Sequence, residues 1–203
     1  MVFSRTYLTT SFLLIFIPFV ASITFSWTNI GPSNQNRDIV SEGGGAMGLP
    51  INATTIVATS QFVAVEFDTF WNEDWDPIPG RNTSRFDHVG ISISSLTSVR
   101  SQRWLSNITG GGVCQAWIRY DSVSSNLSVS FTGYQNNTVV RQDGLVYTVD
   151  LRTELPKWVI FGFSAATGAL FQKNNVRSWS FDSSDIQIDG NNGIPSNPGP
   201  DPV

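Results

Sequence analysis

The stretch that decides the fold runs Val63-Ala-Val-Glu-Phe-Asp-Thr-Phe-Trp-Asn-Glu-Asp-Trp-Asp-Pro77. It begins inside a strongly β-prone run over 61–68. Residues two apart on a strand point to the same face, so Glu66 and Asp68 should lie side by side. Two neighbouring carboxylates repel each other unless a cation lies between them. The loop that follows contains Asn72 and Asp76, which offer the oxygen ligands that Ca²⁺ prefers. This stretch therefore predicts a strand that leads into a metal-binding loop.

The only histidine of the chain, His88, enters the next strand-like stretch, Val89-Gly-Ile-Ser-Ile-Ser94. A histidine together with carboxylates is a ligand set that suits a transition metal such as Mn²⁺. The alternative is that Glu66 and Asp68 face solvent on an exposed sheet and that His88 has a structural role. The residue types and their spacing leave both interpretations open.

The rest of the chain shows the same strand-like alternation of apolar and small polar residues. Further segments of this kind lie at 23–27, 115–120, 126–131, 139–141, 145–151, 158–164 and 176–181. Short strands at regular spacing, separated by polar turns, are typical of an all-β sandwich or barrel. No window shows a helical period over ten or more residues. We therefore predict an all-β fold.

The composition excludes several classes of protein. The chain has 203 residues, a net charge of −4 and only 14% charged residues, against roughly a quarter in an ordinary domain. The acidic balance argues against a nucleic-acid partner, and the single cysteine, Cys114, cannot form an internal disulfide framework. Abundant apolar residues, 40% of the chain, argue against global disorder.

The N-terminal segment resembles a secretory signal. Arg5 precedes an apolar run over 12–20, which is shorter than the ~20 residues that span a bilayer. We predict a signal peptide over 1–22, with an uncleaved anchor as the alternative. A folded domain over 23–188 and a disordered Pro/Gly-rich tail over 189–203 would follow.

An exported chain would be extracellular, and no later segment is apolar enough for a transmembrane helix. Five Asn-x-Ser/Thr sequons agree with export and predict glycosylation. These are Asn52, Asn82, Asn107, Asn126 and Asn136.

Taken in order, these segments resemble the legume (L-type) lectin domain, and most closely the ectodomain of plant L-type lectin receptor-like kinases. Residues 63–72, 75–77 and 88–91 resemble the metal-binding signature of the family. Residues 117–122 with 127–129 resemble its next hairpin, and residues 158–168 and 178–181 resemble its closing strands. The resemblance implies a jelly-roll-like antiparallel β-sandwich that binds carbohydrate and is not an enzyme.

The resemblance also implies a set of site residues. The transition metal, Mn²⁺, would be bound by Glu66, Asp68, Asp76 and His88, with Ser98 holding one of its waters. Calcium would be bound by Asp68, the Phe70 carbonyl, Asn72 and Asp76. The saccharide would contact Gly45, Phe70, Asn72, Ala169 and Leu170.

The chain departs from the family pattern in ways that bear on function. In the family, several further strands and an aspartate that binds the sugar lie between the first strand and the Gly-rich stretch. Here residues 38–42 lead almost directly to the Gly-rich stretch that begins at Gly43. The domain therefore looks incomplete at its N-terminal side. The family's aspartate four residues after the histidine is Ser92 here, which predicts weaker support for the metal ligands.

Three functions follow as hypotheses. The first is a secreted, metal-dependent lectin whose sugar binding is weakened by the missing aspartate. The second is an interaction or decoy form of a lectin receptor ectodomain, acting as a homodimer or with full-length receptors. The third is a glycoside hydrolase with Glu66 and Asp68, but such an enzyme would favour a further acid at position 70, which is Phe.

The tryptophans divide into two groups by their neighbours. Those in or beside apolar strands are predicted to belong to the core, namely Trp104, Trp117, Trp158 and Trp179. Trp71 and Trp75 flank the metal loop and are predicted to be more exposed.

Overall fold

The fold was established from a computed structural model, which describes part of the chain. The described ranges are 2–3, 10–13, 24–28, 47–52, 54–77, 86–157, 159, 161–166 and 174–183, with the backbone alone described in the first three. The strands are β1 (Val2–Phe3), β2 (Thr10–Leu13), β3 (Thr24–Thr28), β4 (Val63–Asp68), β5 (His88–Ile93), β6 (Arg100–Arg103), β7 (Ala116–Asp121), β8 (Asn126–Gln135), β9 (Thr138–Thr148), β10 (Gly162–Phe163) and β11 (Val176–Asp182). One short helix, α1, spans Leu151–Glu154.

The strands form three antiparallel sheets, which confirms the all-β prediction. The largest sheet has the order β10-β2-β4-β5-β6, and two smaller sheets have the orders β1-β11-β3 and β7-β8-β9. Strand β4 is buried along its whole length, including Glu66 and Asp68. Within the described ranges, no helix is long and apolar enough to cross a membrane.

The core lies where β4 and β5 pack against the β7-β8-β9 sheet. Phe67 of β4 contacts Trp104 edge-on at 5.3 Å between ring centroids and Phe131 of β8 at 6.0 Å. These aromatic side chains are buried, and so are Val89 and Ile91 of β5. Side chains that alternate along each strand thus join two sheets into one core, which holds β4 and β5 in place beside the loop that follows β4.

The indole of Trp104 also links the two sheets by a hydrogen bond. Trp104 follows β6 directly, is 3% exposed, and its Nε1 donates to the Thr132 carbonyl of β8 at 3.0 Å. We expect Trp104→Phe to lower the free energy of unfolding by about 1 kcal/mol or more, because the substitution removes this buried hydrogen bond and some packing. Chemical denaturation of the two proteins measures this difference, and equal stability would contradict the assigned bond.

Several strand boundaries differ from the sequence prediction. Residues 139–141 and 145–148, predicted as separate strands, belong to the single strand β9, which pairs with β8 through a register shift between Val129 and Phe131. The predicted strand over 145–151 was wrong at its end, since Leu151 begins α1, capped by the Asp150 side chain. Strand β6 was missed because its sequence, Arg-Ser-Gln-Arg, has no apolar alternation.

The tryptophan predictions had mixed outcomes. Trp104 is buried, as expected, and Trp71 and Trp75 are partly buried, so they are less exposed than predicted. Trp117 is 40% exposed and carries the Arg141 guanidinium 4.4 Å from its ring centroid. The assignment of Trp117 to the core was therefore wrong, because its strand β7 turns alternate side chains to solvent and Trp117 lies on that face. Trp179 is partly buried and contacts Phe163, whereas Trp158 lies outside the described residues.

Part of the predicted signal peptide pairs with the largest sheet. Strand β2, residues 10–13, runs antiparallel to β4 from Thr10↔Phe67 to Leu13↔Ala64 and also pairs with β10. The backbone of β4 thus has partners on both edges. Strand β1, residues 2–3, also lies in this segment and pairs with β11. The other residues of 1–22, like the predicted tail over 189–203, lie outside the described part of the chain, and the domain boundaries stay predictions.

Removing residues 1–22 is expected to destabilise the fold. A chain that begins at Ile23 lacks β2, so backbone groups on one edge of β4 lose their partners. A loss of about 2 kcal/mol corresponds to a drop of about 4–8 °C in thermal midpoint for a domain of this size. A chain that begins at Tyr7 keeps β2 and serves as the control. Equal midpoints for these two chains would show that β2 contributes nothing.

Candidate metal centre

Two paired strands and one turn bring the predicted metal ligands together. Glu66 and Asp68 lie on β4, and His88 begins β5 directly opposite Asp68 in the register. Asp76 ends the loop after β4, where its backbone N–H donates to the Asn72 carbonyl at 3.1 Å. The apolar residues of β4 and β5 fix the strands in the core and thereby fix the positions of these polar side chains.

The four side chains form one buried polar group. Ligand atoms of Asp68, Asp76 and His88 lie within 4.8 Å of one another, and His88 Nε2 lies 3.3 Å from Glu66 Oε1. Glu66 is 1% exposed and Asp68 is 4% exposed. The alternative in which these carboxylates face solvent is therefore wrong, because every residue of β4 is buried and both faces of the strand are covered.

The loop after β4 is held by its own carboxylates. Asp68 Oδ1 accepts a hydrogen bond from the Phe70 backbone N–H at 2.7 Å, and Asp76 Oδ2 accepts one from the Asn72 backbone N–H. Each of these aspartates can orient the loop with one oxygen and leave lone pairs for a cation. Phe70 and Asn72 are thereby kept beside the buried carboxylates.

Burial dominates the electrostatics of this group. It raises the pKa of Asp68 to about 7, opposed by the Phe70 hydrogen bond and reinforced by Asp76, and it raises the pKa of Asp76 to about 6. Burial alone would lower the pKa of His88, but the hydrogen bond that His88 donates to Glu66 and the charges of the nearby carboxylates outweigh it and raise that pKa. Such a site favours any positive charge that neutralises it.

The residues fit a divalent cation. Glu66 Oε2 is buried and has no hydrogen-bond partner among the described residues, and an orphaned buried carboxylate oxygen is costly unless a cation binds it. Three carboxylates and a histidine are ligands that transition metals and Ca²⁺ accept. The donor set therefore agrees with a metal centre.

The stability of the metal-free chain is expected to fall as pH rises, whereas the affinity for a metal ion is expected to increase. The folded, metal-free chain holds protons on Asp68 and Asp76 that the unfolded chain releases above about pH 4, so its stability falls as pH rises toward 7. The raised pKa of His88 acts in the same direction, because its stabilising charge is lost as pH rises through that pKa. A cation competes with these protons, so its affinity rises with pH.

Scanning calorimetry with and without chelator measures this effect. The difference in thermal midpoint between the metal-loaded and metal-free protein should widen between about pH 5 and about pH 8. A difference that stays constant or narrows over that interval would contradict the assigned proton and metal competition.

Two serines adjoin the group. Ser98 Oγ donates to Glu66 Oε1, so Ser98 contacts a predicted metal ligand directly, whereas the sequence assigned it only to a water. Ser92 is fully buried, and its Oγ lies 3.1 Å from Ser98 Oγ. The sequence analysis considered position 92 only as the place where the family's aspartate is replaced by serine. The strand period of two could have indicated that Ser92 lies near the polar group, because it places Ser92 on the same face of β5 as Gly90.

The predicted saccharide residues are described only in part. Phe70 is 48% exposed beside the buried carboxylates, and Asn72 is partly buried. Gly45, Ala169 and Leu170 lie outside the described residues. The ends of the two segments that carry them are joined, since Ser164 Oγ donates to the Met47 carbonyl at 2.8 Å.

The predicted glycosylation sites differ in exposure. Asn136 is exposed at the tip of the β8–β9 hairpin, and Asn52 is exposed in a turn where its side chain accepts the Thr54 backbone N–H at 2.9 Å. Asn107 and Asn126 are partly buried, and Asn82 lies outside the described residues. The two exposed positions have the most room for a glycan, and modification of all five stays a prediction.

Known proteins with similar sequences are lectins from plants. The chain is 40% identical over 150 residues to Lectin 11 of Medicago truncatula, which covers 74% of this chain and 49% of that protein. It is 40% identical over 175 residues to Agglutinin-2 of Cladrastis kentukea, covering 79% of this chain and 57% of that protein. The chain thus spans about half the length of these curated relatives.

Solved structures with a similar fold are also lectins. The lectin from Bauhinia forficata in complex with GalNAc superposes with a TM-score of 0.59 at 28% identity, over 91% of this chain and 74% of that chain. Basic winged bean lectin with Tn-antigen gives a TM-score of 0.57 at 28% identity, over 89% of this chain and 70% of that chain. The family model described as "Legume lectin domain" matches residues 22–195. With its sandwich of antiparallel strands and its buried carboxylate–histidine group, the chain belongs to the legume lectin family.

Proposed function

We propose that this protein is a secreted lectin that binds a saccharide or glycoconjugate through a loop fixed by Ca²⁺ and Mn²⁺. The observation that carries the proposal is the buried group of Asp68, Asp76 and His88, next to the orphaned Glu66 Oε2. Asp68 of this group accepts a hydrogen bond from the backbone of Phe70, which is an exposed residue. A buried carboxylate group that holds a loop with an exposed aromatic residue suits a rigid binding loop better than a catalytic site.

The ligand sets of the two ions would overlap at two aspartates. Glu66, Asp68, Asp76 and His88 would hold Mn²⁺, with Ser98 beside Glu66, while Asp68, the Phe70 carbonyl, Asn72 and Asp76 would hold Ca²⁺. The ions, when bound, supply positive charge that neutralises the buried carboxylates and stabilises the loop. Asp68 and Asp76 already hold the backbone of Phe70 and Asn72, so ion binding and loop conformation are coupled.

The saccharide would be recognised by a polar group and an aromatic ring on this loop. The Asn72 amide can donate to a sugar hydroxyl, and the exposed Phe70 ring can stack on the apolar face of a sugar ring. Gly45, Ala169 and Leu170 would complete the site, in agreement with the contact between Ser164 and Met47 that joins their segments. The GalNAc and Tn-antigen complexes of the similar lectins support a saccharide as the ligand class.

Calorimetric titration with a panel of mono- and oligosaccharides tests this function. We expect weak binding to at least one saccharide, abolished by chelator and restored by adding Ca²⁺ and Mn²⁺ together. Phe70→Ala should lose saccharide affinity by about tenfold, since aromatic contacts of this kind contribute about 1 kcal/mol or more, and should keep metal affinity. A metal-loaded, folded chain that binds no saccharide would overturn the lectin proposal.

Secretion follows from the same proposal. The apolar segment over 12–20 would direct export, and cleavage near Ile23 would release an extracellular glycoprotein. In the structure, β2 (residues 10–13) lies in the predicted signal peptide and pairs with β4. Cleavage near Ile23 would remove a strand that the sheet uses. Mass spectrometry of protein secreted by plant cells decides whether this cleavage occurs: an N-terminus near Ile23 supports the proposed leader, whereas retained residues 10–13 would overturn it.

The second candidate function is a shortened interaction form of a lectin receptor ectodomain, without sugar binding of its own. It is favoured by the sequence, in which no residue clearly matches the aspartate that the family resemblance leads us to expect at the sugar site. Such a form would dimerise or associate with full-length lectin receptors. Co-purification with such a receptor, combined with no saccharide binding, would favour this function over the first.

A further inference from the structure

We propose that Ser92 is a positioning residue for the metal centre, acting through Ser98 on Glu66. This inference rests on the proposed metal binding and adds a residue to it. In the proposed arrangement, Ser92 and Ser98 hold one carboxylate oxygen of Glu66 so that the other, Oε2, faces the transition metal.

The direction of the hydrogen bonds follows from the number of available protons. A serine hydroxyl has one proton, and Ser98 uses it to donate to Glu66 Oε1. The contact of 3.1 Å between the Ser92 and Ser98 hydroxyl oxygens must therefore be donated by Ser92. The chain of donors runs from Ser92 to Ser98 to Glu66, and each bond polarises the next.

The two oxygens of Glu66 have different surroundings. Oε1 accepts from Ser98 and lies 3.3 Å from His88 Nε2, whereas Oε2 is buried without a partner among the described residues. The serine pair thus fixes the rotation of the carboxylate and leaves Oε2 with unused lone pairs. A carboxylate held in this way binds a cation with less loss of side-chain entropy than a free one.

The backbone is arranged to allow this contact. The Val99 N–H donates to the Ile91 carbonyl at 2.8 Å, which folds the segment after β5 back over that strand and brings Ser98 to Glu66. Gly90, which pairs with Glu66 in the register, has no side chain, and a Cβ there would overlap the Ser98 hydroxyl and Glu66 Oε1. Ser92 lies on the same face of β5 two residues further on, fully buried.

A double-mutant cycle measured by metal titration tests the proposal. The variants are Ser92→Ala, Ser98→Ala and the double substitution, each titrated with Mn²⁺ and separately with Ca²⁺ after removal of bound metal. We expect each single variant to lose about tenfold in Mn²⁺ affinity, the usual effect of an outer partner of a metal ligand. The double variant should lose no more than Ser98→Ala, because Ser92 acts through Ser98. Calcium affinity should change less, since Glu66 is proposed to bind Mn²⁺ only.

A matched pair at position 92 separates the hydroxyl from its packing. Ser92→Thr keeps the hydroxyl and Ser92→Val replaces it with a methyl group of similar size, so only the valine variant should lose Mn²⁺ affinity. The Mn²⁺ electron paramagnetic resonance spectrum should also change in Ser92→Val. If Ser92 served only the packing of the strand, that spectrum would stay the same. Thr132→Val, which removes a buried hydroxyl in the other sheet, should leave Mn²⁺ affinity unchanged.

The outcomes separate this inference from the function on which it rests. Wild-type chain that binds Mn²⁺ while Ser92→Ala and Ser92→Val bind it equally well would overturn the positioning role alone. Additive losses in the double variant would also overturn it, because they would show that the serines act independently. Folded wild-type chain that binds no Mn²⁺ would overturn the proposed metal-dependent function, and the positioning role with it.

Discussion

Replacing Asp68 with asparagine is expected to lower Mn²⁺ and Ca²⁺ affinity together by more than about 100-fold, since changes to outer partners alone cost 10–100-fold. Asp68 is the residue proposed to bind both ions, and it lies with Asp76 and His88 in one buried group. Asparagine keeps an oxygen that can accept the Phe70 backbone N–H, so the loop conformation should survive. The loss would therefore report on charge and not on unfolding.

The same substitution should stabilise the metal-free protein. Burial raises the pKa of Asp68 to about 7, so at pH 8 its carboxylate is charged in a site that penalises the charge. Removing it should raise the free energy of unfolding of the metal-free chain by up to about 4 kcal/mol. As a control, Glu73→Gln removes an exposed carboxylate from the same loop. It should change neither the metal affinity nor the free energy of unfolding. If Asp68→Asn lowers the stability of the metal-free chain instead, the assigned electrostatic cost is wrong.

Gly90→Ala is expected to remove Mn²⁺ binding and to lower stability by about 1–3 kcal/mol, the usual cost of overpacking. The added methyl group would overlap the Ser98 hydroxyl and Glu66 Oε1 and would lie 2.9 Å from Ser98 Cβ. Both side chains would have to move, and Glu66 would lose the position in which Oε2 has no protein partner. Titration with Mn²⁺ and chemical denaturation measure the two effects.

Gly133→Ala is a matched control for this variant. A Cβ at Gly133 would lie 2.6 Å from the Leu105 carbonyl oxygen, on the sheet that does not carry the metal ligands. It should lose stability to a similar degree and keep its Mn²⁺ affinity. If both glycine variants lose metal binding equally, the effect comes from general destabilisation and the assigned role of Gly90 is wrong.

The sequence predicted the part of the site that depends on strand geometry. Glu66 and Asp68 are two apart on a β-prone run, and His88 begins the next strand, so the period of two placed these side chains on shared faces. The order of the motifs along the sequence indicated the fold family. The placement of these side chains was predicted correctly because apolar residues of β4 and β5 fix the two strands in the core.

The remaining features depend on contacts between segments distant in sequence. Nothing in Arg100–Arg103 indicates strand β6, which forms because β5 offers an unpaired edge. The exposure of Trp117 depends on which face of the β7-β8-β9 sheet packs against β4, a choice that alternation alone does not make. The bond between Ser92 and Ser98 depends on the turn after β5.

Metal analysis of the purified, folded chain tests the central claim most directly. The chain is equilibrated with Ca²⁺ and Mn²⁺, and free ions are removed by gel filtration. Elemental analysis should then find one equivalent of each ion per chain. An Asp68→Asn control prepared in parallel should contain neither ion. Folded wild-type chain that retains neither ion would contradict the account, because the buried carboxylates and His88 would then have no cation to neutralise them.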